Sequence, residues 1–419
     1  MPELVVMRLW ALFLVLITCL AARDEVQQAL FLKAQSDFER VELAALPSLP
    51  ESAACAQSQS AVISVAAPEE LAALHYRKGY CLLAGAVVTG SHQDFAAATA
   101  ELDKAIEAWP LRVRKPVKNA PPEPVSNGLR ALDALSHLFA EGESTARPLL
   151  NAAVTNPICA AGVMQEATCR QWVDTARQEL GQIALREGNP DAAVTDFAGA
   201  SATGWLDWAQ GKRAFAAGNF AAAASQYAAA IQTWKAIWND AAGPSLARRL
   251  GPHPDLAAAL TDLGGAQLLA GNARIAEATL DAALKLDPAA ARAFYLRARA
   301  RELAGETAES LADYNLAARA AFAASQDLAS GEAHLYRGIL LYRRKDYARA
   351  ENEFSSALNF SIASALRPDA EAWRHLAAVA SGSCGAARQN LERSLPSVSP
   401  YFPKSEARAV AGACRAASN

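Results

Sequence analysis

The stretch LGGAQLLAGNARIAEATLDAALKLDP, Leu263 to Pro288, holds small residues at fixed distances from larger apolar ones, and its frame returns along the chain. Gly264, Gly271, Ala276, Leu280 and Ala283 define that frame. Thirty-four positions later Ala298, Gly305, Ser310, Tyr314 and Ala317 occupy the same places, and forty further on Gly338, Lys345, Ala350, Phe354 and Ala357 do so again. Upstream, the sets Gly211, Gly218, Ala223, Tyr227, Ala230 and Gly181, Gly188, Ala193, Phe197, Ala200 keep the internal spacing. A unit of this length cannot bury its own apolar face, so copies must stack on one another.

Each position has a physical reason. Two helices approach closely only where their crossing is lined by small side chains, so Gly264 is expected to face Ala276 within a hairpin and Ala283 to meet the next one. Leu263 and Leu280 then fill the surrounding space. Gly271 suits the left-handed residue that ends a helix, and Asn272, like Asn189 and Asn219, is placed to cap the helix that follows. Asp287-Pro288 closes the unit, with Pro favoured in the first turn of the next helix. Hydrophobic residues are 52% of the chain and aromatics only 7%, so the apolar content is mostly Ala and Leu, which favour closely packed helices. β-Branched runs with period-two alternation are scarce, which argues against a large sheet.

This pattern resembles the tetratricopeptide repeat, a helix–turn–helix unit of 34 residues. The resemblance covers about Val173 to Leu376 and implies an all-α fold, a right-handed helical-repeat solenoid of stacked hairpins. Arg297 and Arg301 depart from it, standing where large apolar residues are usual, and Ser310 replaces the commonest Ala. Ahead of the array, His75–Ala86 and Asp94–Pro110 read as two halves of a lengthened unit, with Gly79, Phe95, Ala98, Leu102 and Ala105 at the family positions.

The domain organisation follows: a signal peptide over 1–22, an N-terminal helical region with a Pro-rich linker over 23–125, a helical pair over 126–172, the repeat array over 173–376 with an insertion at 241–257, and a helical cap over 377–419. Arg8 precedes about fourteen mostly apolar residues, Leu9 to Ala22, fewer than the roughly 20 that span a bilayer. That reads as a secretory signal cleaved after Ala21 or Ala22, leaving no stable membrane span, with Met7 an alternative start. Cys19 lies in a lipoprotein-like box whose Thr18 replaces the usual small residue, so a lipid anchor stands as one alternative and a retained membrane anchor as another. The expected location is periplasmic or secreted. The six remaining cysteines fit an oxidising compartment, and sequence proximity favours Cys55–Cys81, Cys159–Cys169 and Cys384–Cys414 among the fifteen possible pairings.

Chemistry-bearing motifs are missing from the sequence: it has no phosphate loop, HExxH, GxSxG or zinc-finger spacing, so no catalytic residue, cofactor or metal is expected. Glu302, Glu306, Glu351 and Glu353 read as solvated helix-face charges, and His253 as a loop histidine. A net charge of −3 gives no reason to expect nucleic acid. What remains is a surface. In the tetratricopeptide family the first helices line a concave groove, and carrying its positions over gives Trp205, Trp208, Lys212 and Phe215, then Arg292, Tyr295 and Arg299, then Leu335, Tyr342 and Arg343. Aromatic and cationic side chains on one face suit a protein or peptide ligand bearing carboxylates. Trp205 and Trp208 fit equally as core residues in a shifted register. Two other readings are an envelope glycan binder or assembly lipoprotein, with both tryptophans stacking on sugar rings, and an enzyme with a site between the repeats and the N-terminal region. The latter predicts a deep pocket with paired shifted ionisable groups. Oligomeric state is not legible.

Overall fold

Glycines 181, 211, 264 and 338 sit at the crossing of paired helices, and each receives the large residue sixteen positions later: Phe197, Tyr227, Leu280 and Phe354. A Cβ built on any of them would lie 2.5–2.6 Å from that side chain, so nothing larger than hydrogen fits. Gly79 does the same for Leu102, the lengthened spacing absorbing the extra residues between its two helices. Gly264 therefore faces Leu280 rather than Ala276, because the glycine makes room for a bulky knob. Ala276 is buried elsewhere in the packing.

The computed structural model describes residues 25–42, 44, 47–109, 125–155, 157, 159, 164–200, 202–238, 246–324 and 331–417. The proposed signal peptide, Cys19 and most of the Pro-rich linker lie outside them. Among the described residues there is no β-strand, and no helix is long and apolar enough to cross a membrane.

Two compact units divide the chain, one taking in residues up to Ala209 with Ala236–His253, the other Gln210–Lys235 with Pro254 onward. The division falls inside the expected array. In the first unit, α1 (25–42) precedes α2 (Leu49–Ile63), α3 (Leu71–Thr89), α4 (His92–Ala108), α5 (Asn127–Ala140), α6 (Glu143–Val154), α7 (Glu166–Arg186) and α8 (Pro190–Gly199). Its core of mostly Ala and Leu holds an aromatic chain: Phe38, Tyr76 and Tyr80 meet edge to face, and Tyr80 reaches Trp172 with ring centroids 6.2 Å apart. The expected insertion contributes α11 (Leu246–Leu250), whose Leu246, Ala247 and Leu250 join that core. Cys55 is joined to Cys81 and Cys159 to Cys169, as proximity favoured.

Helices α9 (Thr203–Ala216) and α10 (Phe220–Trp238) span the division. The second unit continues with the hairpins α12 (Leu256–Leu269) with α13 (Ala273–Leu286), α14 (Ala291–Leu303) with α15 (Thr307–Ala324), and α16 (Gly331–Arg343) with α17 (Tyr347–Asn359). It ends with α18 (Arg367–Ala380), α19 (Ala386–Ser394) and α20 (Lys404–Ala417), where Cys384 is joined to Cys414. Two local expectations change. Asn189 and Asn219 cap their helices through Ala192 and Ala222 N–H, but Asn272 makes no such bond. Pro288 lies in a turn ahead of α14, where Asp287 accepts the Ala289 N–H at 2.9 Å.

Gly188, Gly218, Gly271 and Gly305 end their hairpins' first helices with φ between 75° and 85°. Lys345 fills the equivalent place at φ 63°, the sole non-glycine residue with positive φ among those described. A side chain there costs about 1–2 kcal/mol, so Lys345→Gly is expected to raise stability by about 1 kcal/mol. The check is a higher denaturation midpoint at unchanged slope.

The departures at Arg297 and Arg301 have a structural reason. Arg297 donates Nε and Nη2 to the two carboxylate oxygens of Asp313, at 2.8 and 2.7 Å, and Nη1 to Asp281 at 2.6 Å. Arg301 reaches Asp313 at 2.9 Å and Glu277 at 2.8 Å. A charge cluster thus occupies positions that Leu180 and Leu263, or Ala184 and Leu341, hold in other copies.

Candidate binding face

On the first helices of the second unit, the cations named from the sequence are already engaged. Asp262 of α12 is buried. Lys212 of α9 donates to it at 2.5 Å and Arg292 of α14 at 2.6 Å. Burial alone would raise the Asp262 carboxyl, but Arg292 and Lys212 outweigh it and hold the group below its usual range. Further along, Arg299 and Arg343 both pair with Glu302, at 2.5 and 2.8 Å, and the Tyr314 hydroxyl donates to the same carboxylate at 3.0 Å. Tyr295 stacks on Tyr336 with centroids 5.2 Å apart.

Across this face runs the segment that links α19 to α20. Ser399 N–H and hydroxyl donate to Asp369 of α18 at 2.7 and 2.5 Å. Phe402 packs edge-on against Trp373, 5.2 Å between centroids. Tyr401 lies beside Phe215 of α9, and its hydroxyl stands so close to Gly265 of α12 that a Cβ there would be 2.3 Å away. Glu406, at the start of α20, accepts from Arg343 Nη1 at 2.7 Å through both its oxygens. Residues 399–406 thus touch α9, α12, α16 and α18, each the first helix of its pair.

The structure brings Lys212, Arg292, Arg299, Tyr295, Tyr342, Arg343 and Phe215 into one unit. Trp205 and Trp208 belong to the other. Trp208 is 8% exposed, and Trp205 stacks on Phe197 at 5.9 Å, which is the core reading left open by the sequence. Tyr295 and Tyr342 are buried too, although Tyr342 lines one edge of a cleft with Glu406 and Cys414. Glu302 and Glu353 are not free solvated charges: the first joins two arginines, and the second takes His334 and Arg337. Glu306 pairs with Arg274 at 3.6 Å. Asp262, Tyr401, Phe402 and Glu406 were missed from sequence. Glu302 shares the repeat position of Phe215 and Tyr342, so the rule that selected those residues would have found it.

Burial pushes two carboxyls, Asp133 and Glu179, up to about 7. Neither lines the clefts between Tyr342 and Cys414, Asp255 and Glu332, or Leu49 and Ala97, and neither acts on the other.

Helical hairpins stacked through glycine-to-knob crossings define an α-helical repeat protein with a tetratricopeptide-type fold. No family model and no curated protein matches the chain. Similar solved structures include a tetratricopeptide repeat protein from Parabacteroides merdae, at 13% identity over 72% of this chain and 98% of that one, TM-score 0.40. The C-terminal part of a repeat-containing protein from Cytophaga hutchinsonii gives 14% over 70% and 98%, TM-score 0.37. Yeast Tom70 gives 12% over 94% and 97%, TM-score 0.36.

Proposed function

We propose that the protein is a non-catalytic scaffold that binds an extended peptide segment of a partner protein on the first-helix face of its second unit, in an exported compartment. One observation carries this reading: the face already holds a peptide, the chain's own residues 399–406, by an arginine-to-carboxylate bridge at Glu406 and aromatic contacts at Tyr401 and Phe402. A carboxylate-bearing, aromatic ligand would use the same groups, since guanidinium and carboxylate match in geometry and stiff aromatic rings bind at low entropic cost. The resident segment would then have to yield. Three cystine pairs support the oxidising location. The glycan reading loses its support with the burial of Trp208.

The test uses a labelled peptide, PSVSPYFPKSE (Pro396 to Glu406), added to the full chain carrying Glu406→Ala, which loosens the resident segment. Saturable binding by fluorescence anisotropy is expected, weakened tenfold or more by a further Arg343→Ala. Equal binding with and without Arg343, or none in either, would remove the proposed site.

A further inference from the structure

The first unit gathers three metal-donor side chains that the binding face does not use. Asp133 and His137 stand four residues apart on α5 and so share a face, and Asp103 reaches them from α4. His137 Nε2 is 3.5 Å from Asp103 Oδ1 and 3.9 Å from Asp133 Oδ1, and the three donor atoms lie within 4.8 Å of one another. Donors bound tetrahedrally to zinc at about 2.0–2.1 Å are separated by about 3.4 Å. A small contraction would close the set on one ion.

Two further observations point to a ligand. The Asp133 side chain is 6% exposed, yet its Oδ1 has no hydrogen-bond partner and is aimed into the cluster. A buried carboxylate oxygen left this way is costly unless a cation or proton meets it. Among the described residues no lysine or arginine pairs with Asp103, Asp133 or Glu141; their one recorded partner is His137. On the far side of the imidazole, Glu141 Oε1 lies 3.2 Å from Nδ1, which makes no hydrogen bond to it in this ring orientation, so a small turn of the ring would bring the two into line. A carboxylate that accepts a hydrogen bond from the back of a histidine fixes the ring so that its other nitrogen faces a metal, and metal binding would draw His137 and Glu141 into that arrangement.

We propose that Asp103, Asp133 and His137 form a site for one divalent transition-metal ion, with Glu141 positioning the His137 ring. Two carboxylates and an imidazole leave coordination positions for water and match zinc-class ions better than calcium. The site is independent of the peptide-binding face, and its ion would bind α4 to α5.

Zinc chloride is the probe, titrated into the metal-free full chain against a chromophoric indicator. One equivalent is expected to bind. His137→Ala and Asp133→Asn are expected to weaken binding at least tenfold, and Glu141→Gln about tenfold. His253→Ala, in a loop of the same unit, is the control and should leave binding unchanged. Cobalt(II) chloride in place of zinc gives visible absorption bands that His137→Ala should abolish. If a core substitution unfolds the chain by circular dichroism, Asp103→Asn, at a half-exposed position, reads the same loss. Absence of binding by the wild-type chain, or equal binding by Asp103→Asn and His137→Ala chains, would overturn the proposal.

Discussion

Asp313→Ala is expected to lower stability by about 3–5 kcal/mol, the cost of removing one partner from a buried ion pair. The Asp313 side chain is 1% exposed and anchors Arg297 and Arg301, which are 14% and 19% exposed. Without it two cations stay largely out of water. Their remaining partners, Asp281 and Glu277, sit further out, and Asp281 is 43% exposed. The comparison that isolates the mechanism is a triple variant, Asp313→Leu with Arg297→Leu and Arg301→Met. Replacing a whole buried ionic cluster by apolar residues is often neutral or stabilising, so the triple variant should recover most of the loss in urea denaturation. A single-variant midpoint close to that of the wild type would show that the cluster bears little of the packing.

Gly338→Ala is expected to destabilise by about 1–3 kcal/mol, although alanine is the better helix former by about 1 kcal/mol. The added methyl would lie 2.5 Å from Phe354, whose ring is fully buried and stacked on Trp373 at 5.9 Å, so it has nowhere to withdraw. Gly412→Ala provides the opposite sign. That glycine lies in α20 with no atom within 4 Å of an added Cβ, and the substitution should raise stability by about 0.5–1 kcal/mol. Measuring both in one denaturation series separates crowding from propensity. A matching sign for the two would contradict the crossing geometry.

The frame of small residues was readable because a close helix crossing admits few side chains, and that restriction repeats with every hairpin. It located Gly181, Gly211, Gly264 and Gly338 at their crossings. The frame could not tell which residue each glycine receives, since Ala276 and Leu280 lie on the same helix within a turn of each other. It also marked Arg297 and Arg301 as departures without finding Asp313, whose relation to them is spatial.

The candidate face was legible only as a row of positions. Lys212, Arg292, Arg299 and Arg343 lie on first helices of one unit, and each is matched by a carboxylate from another turn or another helix: Asp262, Glu302 and Glu406. Asp103, Asp133 and His137 escaped for the same reason, since one member comes from a separate helix and the remaining pair has no distinctive spacing. The sequence by itself determined the hairpins, their glycine crossings and the three favoured cysteine pairings, all governed by short-range spacing and local conformation. Only the tertiary structure decided that residues 399–406 lie on the face their own repeats create. Charge and shape complementarity between segments as far apart as Phe215 and Tyr401 leaves no periodic trace in the chain.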